Sequence, residues 1–306
     1  MKNILIATEK PFASEALKKI SKVIKKSGHG MHLLEEYKSK SELIEALAGK
    51  HALIVRSDVV DEEVLAAATD LEIVVRAGAG YDNVDCAYAR MHQIVVMNTP
   101  GQNANAVAEL AIGLAIYGLR EMFSGRMGRE LRGRTLGLHG FGYVARNVFR
   151  IARSLGMKVI VYTRHSREAA AAIGLKVAHS LEDLYSKSDV VSIHVPARSE
   201  HIGSVSYPVL SELKKGAIIV NTARKEVVNE DDLIRFMEER HDVKYLTDVE
   251  PSQKDNFMEK FQGRYYATPK KMGAQTAEAN ANAGVAAAGQ IVEFFRTGDT
   301  TFQVNR

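Results

Sequence analysis

Three small residues at one turn are the first groups in this sequence whose types and spacing could do chemistry. Gly140, Gly142 and Ala145 in GLHGFGYVARN (137–147) make G-x-G-x-x-A, directly after an apolar run and directly before a helical one. At such a junction the first position allows a tight turn, the second lets backbone approach a pyrophosphate, and the third lets helix and strand pack closely. The amides of Tyr143 and Val144, opening the helix, would then meet phosphate charge. That chemistry is dinucleotide binding. After the next apolar run, VYTRHSR (161–167) offers Thr163, Arg164 and Arg167 and no acid. An acid there accepts the ribose hydroxyl of NAD, whereas an arginine can pair with the 2′-phosphate of NADP. Both cofactors stay open. A second candidate group is the pair of adjacent amines, Lys270 and Lys271, in YYATPKKMGAQT (265–276), either of which could move a proton.

Such groups need rigid elements to hold them. Short Val- and Ile-rich runs recur at 3–8, 51–55, 71–75 and 93–97, with helical segments at 11–28 and 39–49 between them. The second helix opens with a capping box, Ser39 to Glu42, and stops at Gly49. Strands alternating with helices of this length predict βαβ units and a parallel sheet. A long segment, 102–122, carries Val107, Leu110, Ala111 and Leu114 at helical spacing and leads to a second series, with strands at 135–140, 157–163, 189–195 and 216–222. Residues 276–298 are again helical. The expected architecture is α/β, with two Rossmann-like or flavodoxin-like domains built on parallel sheets. One would comprise 1–98 plus about 283–306, and the other, the dinucleotide-binding domain, 99–282.

The totals agree with that organisation. The chain has 306 residues, is 46% hydrophobic and 25% charged, and carries a formal charge of +4. This is enough apolar material for two cores, and the charge is too mild and dispersed for a nucleic-acid binder. One cysteine, Cys86, excludes an internal disulfide and fits a reducing compartment. No run is long enough for a signal h-region or a membrane span, so a cytoplasmic location is expected. No His/Cys cluster has metal-ligand spacing.

Seven ordered segments resemble one family, the D-isomer-specific 2-hydroxyacid dehydrogenases: VVRAGAGYDNVD (74–85), MNTPGQNANAVAEL (97–110), the glycine loop, SDVVSIHVP (188–196), VNTARKEVVNE (220–230), DVEP (248–251) and TPK (268–270). IVRSD (54–58), followed by RAGAGYDN, and the closing QVN (303–305) resemble the D-3-phosphoglycerate dehydrogenases in particular. The resemblance implies hydride transfer between C2 of a 2-hydroxy acid and a nicotinamide, in a cleft between two domains. It implies that Arg224 clamps the substrate carboxylate and polarises the C2 oxygen, a task suited to a permanently charged, forked guanidinium. Glu250 would orient the proton carrier, although DVEP is shorter than the family's usual spacing. Asp248 would lie near the carboxamide, and Thr222, Ala223 and the loop His194, Val195 and Pro196 beside the cofactor. Ala79 and Gly80 would offer amides to the carboxylate, with Asn83 close by, and Arg56 and Ser57 would meet a phosphate. Glu109 would anchor the long helix near the site.

Two departures stand out. The family's acid/base is the histidine of T-P-H, and here that place falls on Lys270 or, aligned on GAQT, on Lys271; Lys225 stands where a glycine usually follows the arginine. A lysine, with a reference pKa of about 10.4, donates a proton readily at neutral pH but must be neutral to accept one. The reading is therefore a working enzyme whose oxidation direction improves with pH. Neither His139, inside the glycine loop, nor His194 replaces the missing histidine, and packing or hydrogen bonding is expected of both. The expected reaction is oxidation of 3-phosphoglycerate to 3-phosphohydroxypyruvate, the entry step of serine synthesis. A glyoxylate or hydroxypyruvate reductase and a non-catalytic nucleotide-sensing binder are the alternatives. The resemblance also implies a homodimer. The longer enzymes continue into a regulatory domain, whereas this sequence stops at 306, so feedback by serine through such a domain is not expected.

Overall fold

A computed structural model of the chain describes residues 1–306. It divides into two compact units, residues 1–103 with 276–306, and residues 104–275. These limits stand a few residues from the divisions at 98/99 and about 282/283 that the sequence pattern gives. A cut at 282/283 would split one continuous helix.

The first unit is a five-stranded parallel sheet in the order β2-β1-β3-β4-β5. Its strands are β1 (Asn3–Thr8), β2 (Gly30–Glu35), β3 (Ala52–Val55), β4 (Ile73–Arg76) and β5 (Val95–Asn98), connected through α1 (Ser14–Lys26), α2 (Lys40–Leu47), α3 (Glu62–Ala67) and α4 (Cys86–Met91). The central strands are buried on both faces, which is why they read as unbroken Val/Ile runs rather than alternating ones. The capping box at Ser39 and Glu42 is present at the start of α2.

The second unit begins with α5 (Ala104–Leu119), which packs on α6 (Tyr143–Ser154), and holds a seven-stranded parallel sheet. Its strands are β6 (Thr135–His139), β7 (Lys158–Tyr162), β8 (Lys176–Val177), β9 (Val190–Ile193), β10 (Ile218–Asn221), β11 (Lys244–Thr247) and β12 (Tyr265–Ala267), in the order β12-β11-β10-β9-β6-β7-β8. Helices α7 (Arg167–Ala172), α8 (Leu181–Lys187), α9 (Tyr207–Ser211), α10 (Glu230–Glu239) and α11 (Lys254–Lys260) complete its layers. After α5 the chain turns through Glu121, Met122 and Phe123, all with φ between 52° and 55°. Beside this turn Glu121 accepts from the Lys244 amine at 2.7 Å, and both side chains are largely buried, at 19% and 8% exposure.

The chain returns to the first unit through α12 (Ala277–Thr297), capped by Thr276 and ended by Gly298 at φ 75°. Its buried face is small: Ala279, Ala283, Gly284, Ala287 and Ala288, with Ile291. A Cβ at Gly284 would stand 2.6 Å from Ile20 of α1, so glycine is what lets the two helices close. The tail then docks on β5, where Asn305 accepts from the Val96 amide at 3.0 Å and donates to the Ile94 carbonyl at 2.9 Å. No helix is long and apolar enough to cross a membrane.

Candidate active site

The glycine loop joins β6 to α6 and sits between β7 and β9. Gly140 donates to the Tyr162 carbonyl at 2.8 Å and has φ +103°, and a Cβ there would lie 2.8 Å from the His194 carbonyl oxygen. Backbone conformation and crowding both demand glycine. A Cβ on Gly142 would meet nothing within 4 Å, because that position opens on a cavity of about 300 Å³. Gly142 is also the N-cap of α6 and supplies no capping side chain. The first helix amides, at Tyr143 and Val144, therefore remain available as donors, while Ala145 is fully buried against the sheet. A glycine-lined hollow at an uncapped helix start suits a pyrophosphate.

Thr163, Arg164, Val195 and Pro196 line the same cavity. Arg167 lies on the exposed face of α7 and does not line it. His139 and His194 line the cavity as well. His139 is buried, with its ring edge toward Tyr162 and Tyr185, and its carbonyl accepts from the His194 amide at 2.8 Å. Burial, reinforced by the neighbouring His201, His194 and Arg164, pushes the His139 pKa down to about 3. Burial does the same to His194 at its enclosed Nε2, although part of that residue reaches solvent.

A second constellation forms where β10, β11 and β12 end. Asn221, fully buried at the end of β10, accepts from the Ala223 amide at 3.0 Å and donates to the Arg224 carbonyl at 3.1 Å. This side chain ties the Thr222–Arg224 turn in place and holds the Arg224 backbone. Arg224 donates to the Ala223 carbonyl at 2.9 Å, and Lys271 Nζ lies 3.5 Å from that same oxygen. Asp248, only 1% exposed, accepts from the Gly273 amide at 2.7 Å through Oδ2, while its buried Oδ1 accepts nothing. Burial raises its pKa, and the Gly273 amide, Lys271 and Arg224 oppose that rise. A buried carboxylate oxygen without a donor suits the NH₂ of a carboxamide, so the residues present fit a nicotinamide dinucleotide. Thr222 Oγ1 is likewise buried without a partner.

The adjacent lysines differ. Thr268 donates to the Lys270 carbonyl at 2.7 Å, which curls the chain back at Pro269. Lys271, one residue further on, reaches the Ala223 carbonyl beside Arg224 and acts on Asp248. Glu250 is on the surface, paired with Lys254 one helical turn on at 2.9 Å, so the buried carboxylate among these groups is Asp248. Lys225 opens a 3₁₀ turn directly after Arg224.

The remaining residues belong to the first unit. Arg56 donates to the Lys10 carbonyl at 2.6 Å, the Pro11 carbonyl at 3.2 Å and Asn280 Oδ1 at 2.6 Å, and lies over the Phe12 ring. It is clamped in direction, yet its guanidinium has no carboxylate partner within salt-bridge distance. Asn83 braces the same corner by donating to the Asp58 carbonyl at 2.7 Å, and Asp58 in turn accepts from the Glu9 and Arg56 amides. Ser57 is exposed. Neither the Ala79 nor the Gly80 amide donates to a backbone carbonyl. Glu109 is exposed on α5 and accepts from Asn105. Motif reading passed over Asn221, although it stands in the same V-N-T-A-R run as Arg224.

The D-isomer specific 2-hydroxyacid dehydrogenase NAD binding domain matches residues 118–269. The chain belongs to that family, and these residues form its NAD-binding domain. Among individual relatives, it is 45% identical to the NAD⁺-bound 3-phosphoglycerate dehydrogenase of Entamoeba histolytica, over 100% of this chain and 99% of that one, with a TM-score of 0.86. It is 36% identical over 272 residues to the D-3-phosphoglycerate dehydrogenase of Archaeoglobus fulgidus, covering 83% of this chain and 51% of that protein. It is also 34% identical over 217 residues to the hydroxypyruvate reductase of Thermotoga maritima, covering 66% of this chain and 70% of that protein. The chain spans about half the length of the curated phosphoglycerate dehydrogenases it matches.

Proposed function

We propose that this protein interconverts D-3-phosphoglycerate and 3-phosphohydroxypyruvate, as a homodimer, with Lys271 as the proton carrier. A nicotinamide dinucleotide held at the glycine loop and Asp248 would accept or supply the hydride at C2. The protein supplies charge, orientation and the proton. Arg224, fixed through the Asn221-tied turn, holds the carboxylate and withdraws electrons from the C2 oxygen. In reduction, Lys271 Nζ gives a proton to the C2 oxygen as hydride reaches C2. In oxidation the neutral amine takes that proton back. Lys271 rather than Lys270 has this role because it is the lysine beside Arg224 and Asp248.

The observation that carries the choice of a phosphorylated substrate is Arg56, a guanidinium held by two carbonyls and Asn280 with no carboxylate in salt-bridge contact and only the nearby Asp58 to offset its charge. A clamped cation of this kind is suited to an anionic oxygen cluster. The two relatives named phosphoglycerate dehydrogenase support the same reading. The test compares reduction of 3-phosphohydroxypyruvate, hydroxypyruvate and glyoxylate by wild type and Arg56→Ala. The expected result is preference for the phosphorylated acid and, in the variant, loss of about tenfold to a hundredfold in kcat/KM for that acid alone. Equal use of hydroxypyruvate, untouched by the substitution, would favour a reductase without a phosphate subsite. Cofactor binding without any turnover would favour the nucleotide-sensing reading.

A further inference from the structure

Strands β1, β2 and β3 are neighbours in the first sheet and end at Thr8, Glu35 and Val55, on the edge where open parallel sheets bind ligands. One carboxylate pins the three segments that leave them. Asp58, two residues past Arg56, is 3% exposed. Its Oδ1 accepts from the Glu9 amide at 2.7 Å, after β1, and from the Tyr37 hydroxyl at 3.0 Å, after β2. Its Oδ2 accepts from the Arg56 amide at 3.0 Å, after β3. A buried carboxylate keeps its charge and its place only while donors meet it. Of these three donors only Tyr37 is a side chain. Burial and the Asp58 charge push its pKa above the ordinary tyrosine value, so the hydroxyl keeps its proton and donates throughout the neutral range.

We propose that Tyr37 is a positioning residue that sets specificity: by holding Asp58 in this arrangement it keeps the Arg56 guanidinium open to a substrate phosphate. The proposal rests on the reading of Arg56 as the phosphate-binding group. Asp58 acts on Arg56 in two opposed ways. Through the Arg56 and Glu9 amides it fixes the strand end and the Lys10–Pro11 turn, whose carbonyls accept from the guanidinium at 2.6 Å and 3.2 Å. Its charge also reaches that guanidinium: burial lowers the Arg56 pKa, and Asp58 partly opposes the fall without salt-bridge contact. A carboxylate that lost a donor would turn its spare lone pairs on the nearest cation, and a guanidinium paired with an acid has its fork occupied. The Tyr37 hydroxyl takes up that capacity. The other acids of these segments do not compete, since Glu35 accepts from the Phe12 amide at 3.2 Å and Glu9 is exposed.

The test measures kcat and KM for 3-phosphohydroxypyruvate and hydroxypyruvate in wild type, Tyr37→Phe, Arg56→Ala and the double variant. Phenylalanine fills the same buried space and removes only the donor. Tyr37→Phe should lose about tenfold in kcat/KM for the phosphorylated acid, carried by KM, with hydroxypyruvate changed less than about twofold. In the Arg56→Ala background the same change should cost less than about twofold, because Tyr37 acts through Arg56. Equal losses for both acids, losses that add to those of Arg56→Ala, or full retention of the phosphate preference in Tyr37→Phe would each overturn the inference. All three leave the reading of Arg56 standing. A wild type without preference for the phosphorylated acid, or a preference that survives Arg56→Ala, would overturn that reading and this inference with it.

Discussion

Protonation of His139 should make the protein acid-labile in a way that one substitution removes. In the fold its pKa is pushed down to about 3 by burial and by the positive neighbours His201, His194 and Arg164. In the unfolded chain a histidine titrates near about 6.5. Between these values the unfolded state binds a proton that the folded state refuses, so stability falls as pH drops below about 6.5. At about pH 5 the contribution of this one group is about 2 kcal/mol, from the proton taken up by the unfolded chain. Replacing His139 by leucine removes the titration and also an Nδ1 that is buried without a partner. Urea unfolding followed by far-UV circular dichroism, without cofactor, at about pH 7.5 and about pH 5 provides the comparison. With a slope of about 2 kcal/mol per M, the drop in midpoint should be about 1 M smaller in His139→Leu than in wild type. Carboxylates such as Asp242, held well below the usual carboxylate range by Arg240, titrate alike in both proteins and cancel. Identical midpoint drops would refute the reasoning, because the imidazole would then gain its proton in the folded state.

The two loop glycines should separate folding from binding. Gly140→Ala meets a positive φ and the His194 carbonyl and should cost about 2 kcal/mol or more of stability, read by thermal melting. Gly142→Ala meets open space, so its melting temperature should hold while NADH affinity falls about tenfold. Glu121→Gln leaves the buried Lys244 amine without its carboxylate and should destabilise by about 3 kcal/mol, a drop of about 10 °C in melting temperature for a unit of this size.

The alternation of strands and helices was legible because the central strands are buried on both faces and announce themselves as apolar runs. Strand β2, GMHLLE, was not, since it lies at the sheet edge with residues mostly half-buried or exposed and shows no run. β8 and β12, of two and three residues, are too short to leave a period. The glycine loop could be read from sequence because its constraint is on the backbone, and glycine spacing reports it directly. The choice between Lys270 and Lys271 could not. It depends on how the chain turns after Pro269, with Thr268 donating to the Lys270 carbonyl, and neighbouring identical residues have no pattern to separate them. The surface pairing of Glu250 with Lys254 and the tie from Asn221 to the Arg224 turn are also matters of side-chain direction, which composition and spacing do not encode. Arg56 was readable as a strand-end cation, but its clamp by Asn280 joins residues 224 positions apart.

The central claim is that an amine at 271 carries the proton. Its most direct test is kcat for 3-phosphohydroxypyruvate reduction by wild type, Lys270→Ala and Lys271→Ala, with NADH affinity measured alongside. Lys271→Ala should lose kcat by about 10²-fold to 10⁴-fold with NADH affinity unchanged, and Lys270→Ala should stay within about threefold of wild type. Full activity in Lys271→Ala, or the large loss in Lys270→Ala instead, would contradict the account.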